Sequence, residues 1–286
     1  MKDNDSKIGT LMVMVKSRNL RQRKEFILVE GKRLIKDALE AGCSIQHLMF
    51  SRKSDLEYIR QLLPKKDIRL YKMAYRDIQM WSDLTTSPGI MGIFKTPNLT
   101  DISQKASSTI PLKIICDNIR EPGNLGAILR ASVAVGAEKI ILTKGCVDIW
   151  EPKVLRSACG AHFRTSIETN MPWSKLILDV PENSALFLAD NNRVTADNSS
   201  KNNLEHLCLK VPVLPYYGVN FANYSSVALV IGGETMGLSQ DAYRLAMEKQ
   251  GVRLNIPLNN DIESLNTGTA LGIIAFEIKR QLLVKK

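Results

Sequence analysis

The run "LKIICDNIREPGNLGAILRASVAVGA", residues 112–137, reads as a strand, a polar loop and a helix. Leu112 to Cys116 is a short apolar run of the kind that a parallel sheet buries on both faces. The loop carries a Pro122-Gly123 turn, and Asn124 stands where a helix N-cap would be. A strand handing over to a helix through a short loop is the unit of an open α/β sheet, so the pattern should repeat in both directions along the chain. It does.

Toward the C-terminus come the strand "KIILTKG", the helix "PKVLRSACGA" and the strand "ALFLAD". A polar, Asn-rich stretch over 190–224 follows and is expected to be an inserted loop. Then the strand "SVALVIGG", the helix "SQDAYRLAMEKQ" and the strand "VRLNIP" lead to a last helix within "SLNTGTALGIIAFE", residues 264–277. That helix is apolar on almost every side and should be buried, although chain ends usually fray in solvent. Toward the N-terminus, "TPNLTDISQKASSTIP" lacks apolar periodicity and reads as an interdomain linker. Before it, "FILVE", "IQHLMFS", "DIRLYKM" and "GIMGIFK" read as strands, and "GKRLIKDALEAG", "SDLEYIRQLLP" and "YRDIQMWSDL" as helices. The expected layout is a basic N-terminal arm over 1–24, a small α/β domain over 25–96, a linker over 97–111 and an open-sheet domain over 112–286.

The 286 residues, 44% of them hydrophobic, suffice for two such domains with real cores. The net charge of +10 is uneven: residues 1–105 hold 20 Lys+Arg against 12 Asp+Glu, a surplus of 8, and the remainder 19 against 17. Five of the cations fall within "KSRNLRQRK", residues 16–24, which reads as a basic arm or a first helix. A basic bias confined to one part of a chain suggests a polyanionic partner or a solubility surface. The five cysteines are scattered without a CxxC pair, and the three histidines are unpaired, so neither a disulfide framework nor a metal site is expected. The apolar run Ala270 to Phe276 is far too short to span a bilayer. Asp3 and Asp5, without an apolar core beside them, do not read as a signal or transit peptide.

Ligands of open α/β sheets sit outside the carboxyl ends of the strands. Three loops leave such ends. "DNIREPGNLGAILR", 117–130, offers Asn124 and, six residues on, Arg130. "VIGGETMGLS", 230–239, offers a glycine pair that lets backbone approach a ligand, and Glu234; it is neither a P-loop nor GxGxxG. "IPLNNDIESLN", 256–266, puts Ser264 and Asn266 before the apolar helix. Each set can be helix capping alone. Their shared position favours one site.

These loops resemble the three motifs of the SpoU/TrmH branch of the SPOUT RNA 2′-O-methyltransferases: the Asn124-to-Arg130 spacing, "GGETMG" and "IP…SLN". "LVEGKRLIKDALEAG" and "DLTTSPGIMGIF" resemble the two ends of the family's ribosomal-protein-L30e-like substrate-binding domain. "LTKGCVDIWEPKVLR", "GAHFR" and "WSDL" are similar to one mitochondrial rRNA-methylating group within it. The resemblance implies a SPOUT domain with a deep trefoil knot, which would answer why the last helix lies inside. It also implies S-adenosyl-L-methionine as cofactor, a homodimer with sites at the subunit boundary, and work in the mitochondrial matrix on a guanosine of the large-subunit rRNA, in its peptidyl-transferase region. Carried over by position, Gly232, Ile256 and Leu265 hold the cofactor. Asn124, Arg130, Glu234, Ser264 and Asn266 surround the reacting ribose, and Arg156 contacts RNA phosphate. One departure is visible: the family often continues "SLNVSVA", whereas "SLNTGTA" puts Gly268 in place of a serine. The rival function is an rRNA-binding assembly factor that does not methylate. A nucleotide-dependent oxidoreductase lacks the required glycine spacing.

Overall fold

A computed structural model describes residues 2–99, 109–179, 184–191, 203–234 and 236–284. The first domain has four strands, β1 (Phe26–Glu30), β2 (Ile45–Phe50), β3 (Arg69–Lys72) and β4 (Ile90–Lys95), in the order β1-β4-β2-β3. Strand β4 runs antiparallel to both neighbours and β3 parallel to β2. Alternate residues point to opposite faces, as the pleat requires. Ile27, Val29, Leu48, Phe50, Ile90 and Phe94 face one side, toward α3 (Lys32–Glu40) and α4 (Lys53–Ile59). Leu28, Met49, Met91 and Ile93 face the other.

That second face corrects the expectation for the N-terminus. Residues 2–24, expected as a basic arm with at most a helix over 16–24, form two helices, α1 (Lys2–Lys16) and α2 (Arg18–Lys24). Ile8, Met12 and Val15 recur at i, i+4 and i+7, form one helical stripe, and are buried with α5 (Tyr75–Trp81) on Leu28, Met49, Met91 and Ile93. Without α1 the sheet would leave an apolar face in water. The charges of 16–24 mask this stripe in the sequence.

The second domain is a seven-stranded sheet, parallel throughout, in the order β7-β6-β5-β10-β8-β11-β9. Its elements are β5 (Ile110–Asp117), α6 (Pro122–Val135), β6 (Ala137–Thr143), α7 (Pro152–Ser157), β7 (Ser166–Met171), α8 (Trp173–Asp179), β8 (Ser184–Ala189), α9 (Asn203–Lys210), β9 (Val213–Pro215), β10 (Ser226–Gly232), α10 (Gln240–Glu248), β11 (Val252–Asn255) and α11 (Thr267–Val284). Helices cover both faces, so Ile114 and Leu229 belong to one apolar cluster and Ile115 and Val230 to another. The late strand β10 lies between β5 and β8, which puts a reversal of strand order at the centre of the sheet.

Three expectations change. The edge strand β7 and helix α8 were not legible. The stretch 190–224 is no plain loop, because it contributes α9 and the edge strand β9, paired with β11. And α11 is buried on one face only: Leu271, Ile274, Ala275 and Ile278 are inside, while Phe276 is 48% exposed. Most of the expected linker, residues 100–108, lies outside the described residues. No described helix is long and apolar enough to cross a membrane.

Candidate active site

Helix α6 starts at Pro122, with Glu121 as its N-cap residue, three positions earlier than the loop chemistry suggests. Asn124 therefore sits in the first turn, and its side chain is free to reach across to the other loops. Its Nδ2 donates to Glu234 Oε2 at 3.0 Å, and its Oδ1 accepts from Asn266 Nδ2 at 2.8 Å. Asn266 in turn caps α11: its Oδ1 accepts from the backbone N–H of Gly268 at 3.0 Å and of Thr269 at 3.4 Å. Capping and site-building are thus the work of one side chain. The bonds run in one direction, from helix N–H through Asn266 and Asn124 to the Glu234 carboxylate, and they tie residues more than a hundred positions apart.

Beside this chain, at the carboxyl ends of β8, β10 and β11, lies a cavity of about 750 Å³. Such a volume falls within the roughly 300–1,000 Å³ of small-molecule sites. Gly232, Glu234, Ile256, Ser264 and Leu265 line it. Gly232 has no room for a side chain, because a Cβ there would collide with the backbone carbonyl of Gly237. The loop folds back on itself through a Gly233–Gly237 bridge, closed by a Gly237 N–H to Gly233 carbonyl bond of 2.8 Å. Ser239, not Glu234, caps α10, and its own N–H donates to Asp117 Oδ2 at 2.6 Å. Burial raises the Asp117 pKa. Thr235 is outside the described residues.

Arg130 stands exposed on α6, outside the residues that line the cavity. Arg156 is turned toward the first domain, with its Nη1 3.5 Å from Glu30 Oε2. Gly268 explains the departure at that position: a Cβ there would come within 2.5 Å of Ala127 Cβ on α6, so the close crossing of α11 and α6 excludes a serine.

Four further residues escaped sequence reasoning. Asp190 and Asn191, just past β8, line the cavity, and Asn191 Oδ1 accepts the Ile256 N–H at 3.0 Å. Asp190 Oδ2 accepts from Tyr243 Oη at 2.7 Å and Arg253 Nη1 at 3.3 Å. Burial, then the Asp190 charge, push the Tyr243 pKa far up, so it stays a hydrogen-bond donor. The end of "ALFLAD" is a strand terminus at the ligand edge, and that signal would have found Asp190. Among the described residues no group of His, Cys, Asp and Glu has the makings of a metal site.

The SpoU rRNA Methylase family matches residues 111–276 and the MRM3-like substrate binding domain residues 11–92. The chain belongs to the SpoU rRNA methylase family. Mitochondrial rRNA methyltransferase 3 of Mus musculus is 39% identical over 98% of this chain and 73% of its own length. Mitochondrial rRNA methyltransferase 3A of Danio rerio is 40% identical over 98% and 69%. Among solved structures, the SpoU methyltransferase AviRb of Streptomyces viridochromogenes, in complex with AdoMet, superposes with a TM-score of 0.75 at 22% identity, covering 96% of this chain and 97% of its own. The fold of this SpoU methylase is therefore the SPOUT α/β fold, and the two rRNA methyltransferases just named are mitochondrial.

Proposed function

We propose that the protein transfers a methyl group from S-adenosylmethionine to a ribose 2′-hydroxyl of the mitochondrial large-subunit rRNA. The target in this reading is a guanosine in the peptidyl-transferase region, as the likeness of residues 142–156 and 160–164 to the mitochondrial group suggests. One observation carries the assignment: the Asn266–Asn124–Glu234 chain joins three loops from three strand ends beside the cavity.

The lining suits the cofactor. Asp190, Glu234, Asp261 and Glu263 contribute four carboxylates and the described lining holds no Lys or Arg, which favours a ligand with a cationic sulfonium and ammonium. The crowded backbone at Gly232, with Ile256 and Leu265 opposite, would hold its adenosine. When bound, this cofactor supplies a methyl group already activated by the sulfonium charge. The chain's own residues must then manage the nucleophile. A ribose hydroxyl is protonated at neutral pH and loses its proton as the new bond forms. Arg130 cannot serve as an ordinary base, since a guanidinium keeps its protons in proteins. It binds the adjacent phosphate and stabilises charge gathering on the 2′-oxygen. Asn124, held from both sides, and Glu234 orient the ribose, with Ser264 beside them.

The exposed positions of Arg130 on α6 and Phe276 on α11 favour a homodimer in which a second copy completes each site. The placement of β10 between β5 and β8, with α11 returning to pack on α6, suits a threaded chain, and the family's deep trefoil knot is part of this proposal. The test is transfer of labelled methyl to a large-subunit rRNA fragment, followed by mapping of 2′-O-methyl positions. Methylation at one ribose is expected. Tight rRNA binding without transfer would overturn the enzyme reading in favour of an assembly factor.

A further inference from the structure

Three stretches that carry the likeness to the mitochondrial group, 81–84, 142–156 and 160–164, contribute nothing to the cavity lining. They meet elsewhere, at the junction of the two domains. Glu30 ends β1 with its side chain 2% exposed. It accepts from Ser82 Oγ at 2.5 Å, Ser87 Oγ at 3.2 Å and Arg156 Nη1 at 3.5 Å. Asp148 takes two bonds from Arg21, from Nη2 at 2.5 Å and Nε at 3.1 Å, and the two side chains are 7% and 4% exposed. Arg21 also donates to the Val15 carbonyl at 2.9 Å, and Asp148 Oδ1 accepts the Trp150 N–H at 3.0 Å. Arg164 Nη2 donates to Asp37 Oδ1 at 2.9 Å, more openly, with side chains 58% and 22% exposed. Gly160, at φ +77°, brings backbone against Asp37 where a Cβ would lie 2.8 Å from its carboxylate. One apolar cluster runs unbroken from Ile27 and Val29 in the first domain to Ile274 in the second.

The joint leads straight to the site. Ser157, next to Arg156 on α7, donates from Oγ to the Gly123 carbonyl at 3.0 Å, and a Cβ on Gly126 would strike Ser157. Gly123 and Gly126 flank Asn124. A single short helix therefore touches Glu30 with one residue and the start of α6 with the next.

We propose that this joint is a positioning device for the methyl transfer. It holds the substrate-binding domain at a fixed distance from Asn124 and Arg130, so that the ribose is chosen by reach. Arg156 acts through Glu30 and not through an RNA phosphate. The proposal rests on the methyl-transfer reading above. Rigid placement matters because misplacing reactants by 1 Å costs about 10²-fold in rate.

The test is a double-mutant cycle of Arg156→Gln and Glu30→Gln, read by methyl transfer to the rRNA fragment, by the map of methylated positions and by RNA affinity against salt. Each single variant is expected to raise KM for the fragment about 10- to 100-fold and to spread methylation to neighbouring riboses. The double variant should lose no more than the worse single, with cofactor affinity unchanged throughout. A phosphate contact at Arg156 would instead give additive losses and lower the salt slope by about one, and either result overturns the proposal. Should the buried variants fail to fold, the more open Asp37–Arg164 pair serves. Asp37→Arg and Arg164→Asp alone should blur the methylation map and together restore it, and an unchanged map in both singles also overturns the proposal. An inert wild-type enzyme would show in the first control and refute the methyl-transfer reading separately. The salt slope of Arg156→Gln then still decides between joint and phosphate.

Discussion

At the residue scale the three loops show why a side chain's type can be legible when its partner is not. Asn124 stands in a loop whose chemistry suggests a cap, yet the helix begins at Pro122 and frees its amide for Glu234 and Asn266. An amide pair suits that place because each offers a donor and an acceptor, so the chain can be passed on. Arg130 offers only donors, and it is exposed, as the proposed phosphate contact requires. Replacing it with alanine should leave cofactor affinity unchanged and slow single-turnover methylation by about 10²–10³-fold, or about 2.7–4 kcal/mol, as when one preorganised donor is lost elsewhere. Full methylation by Arg130→Ala at normal cofactor affinity would remove Arg130 from the chemistry. The end of β8 marks Asp190, but its partners Tyr243 and Arg253 were illegible for a plain reason: they reach it from 53 and 63 positions away, and no local pattern announces such a meeting.

At the element scale, the central strands were readable because burial on both faces leaves an unbroken apolar run, as in Val227 to Ile231. The edges were not. Strand β7, "SIETNM", has one face half in water, and β9 is only three residues long. The N-terminal helix hid its stripe, Ile8, Met12 and Val15, before a dense run of charge. The crossing of α6 and α11 shows how sequence departure and packing are linked. Gly268 replaces a serine common in the family because Ala127 stands where the side chain would be. Restoring it with Gly268→Ser should cost about 1–3 kcal/mol through overpacking. In an Ala127→Gly background, itself weakened by about 1 kcal/mol through helix propensity, the serine should cost clearly less. Chemical denaturation of the four proteins in the cycle gives the coupling. A coupling of zero would mean that the two helices yield freely at this crossing.

At the scale of the whole molecule, the two domains share one core, and His162 lies inside it, fully buried. Its ring packs 5.4 Å from Trp150 and 6.3 Å from Phe163 between centroids. Nε2 donates to the Ile149 carbonyl at 2.8 Å, and Nδ1 has no hydrogen-bond partner among the described residues. Burial lowers its pKa from 6.5 to about 4, against smaller opposing effects of the Ile149 carbonyl and of Asp148, the latter itself paired with Arg21. The folded chain thus keeps this imidazole neutral, while the unfolded chain protonates it below 6.5. Where the unfolded state binds more protons, stability rises with pH. The contribution is therefore complete above about 6.5, declines as pH falls, and is gone below about 4, a loss of about 3 kcal/mol over that window. In His162→Gln the amide can still donate to the Ile149 carbonyl but does not titrate. Urea denaturation at pH 7.5 and pH 5 should show the wild-type protein losing more stability on acidification than the variant. Parallel losses in the two would mean that His162 titrates as it does in water, and that the shared core is open to solvent at its centre.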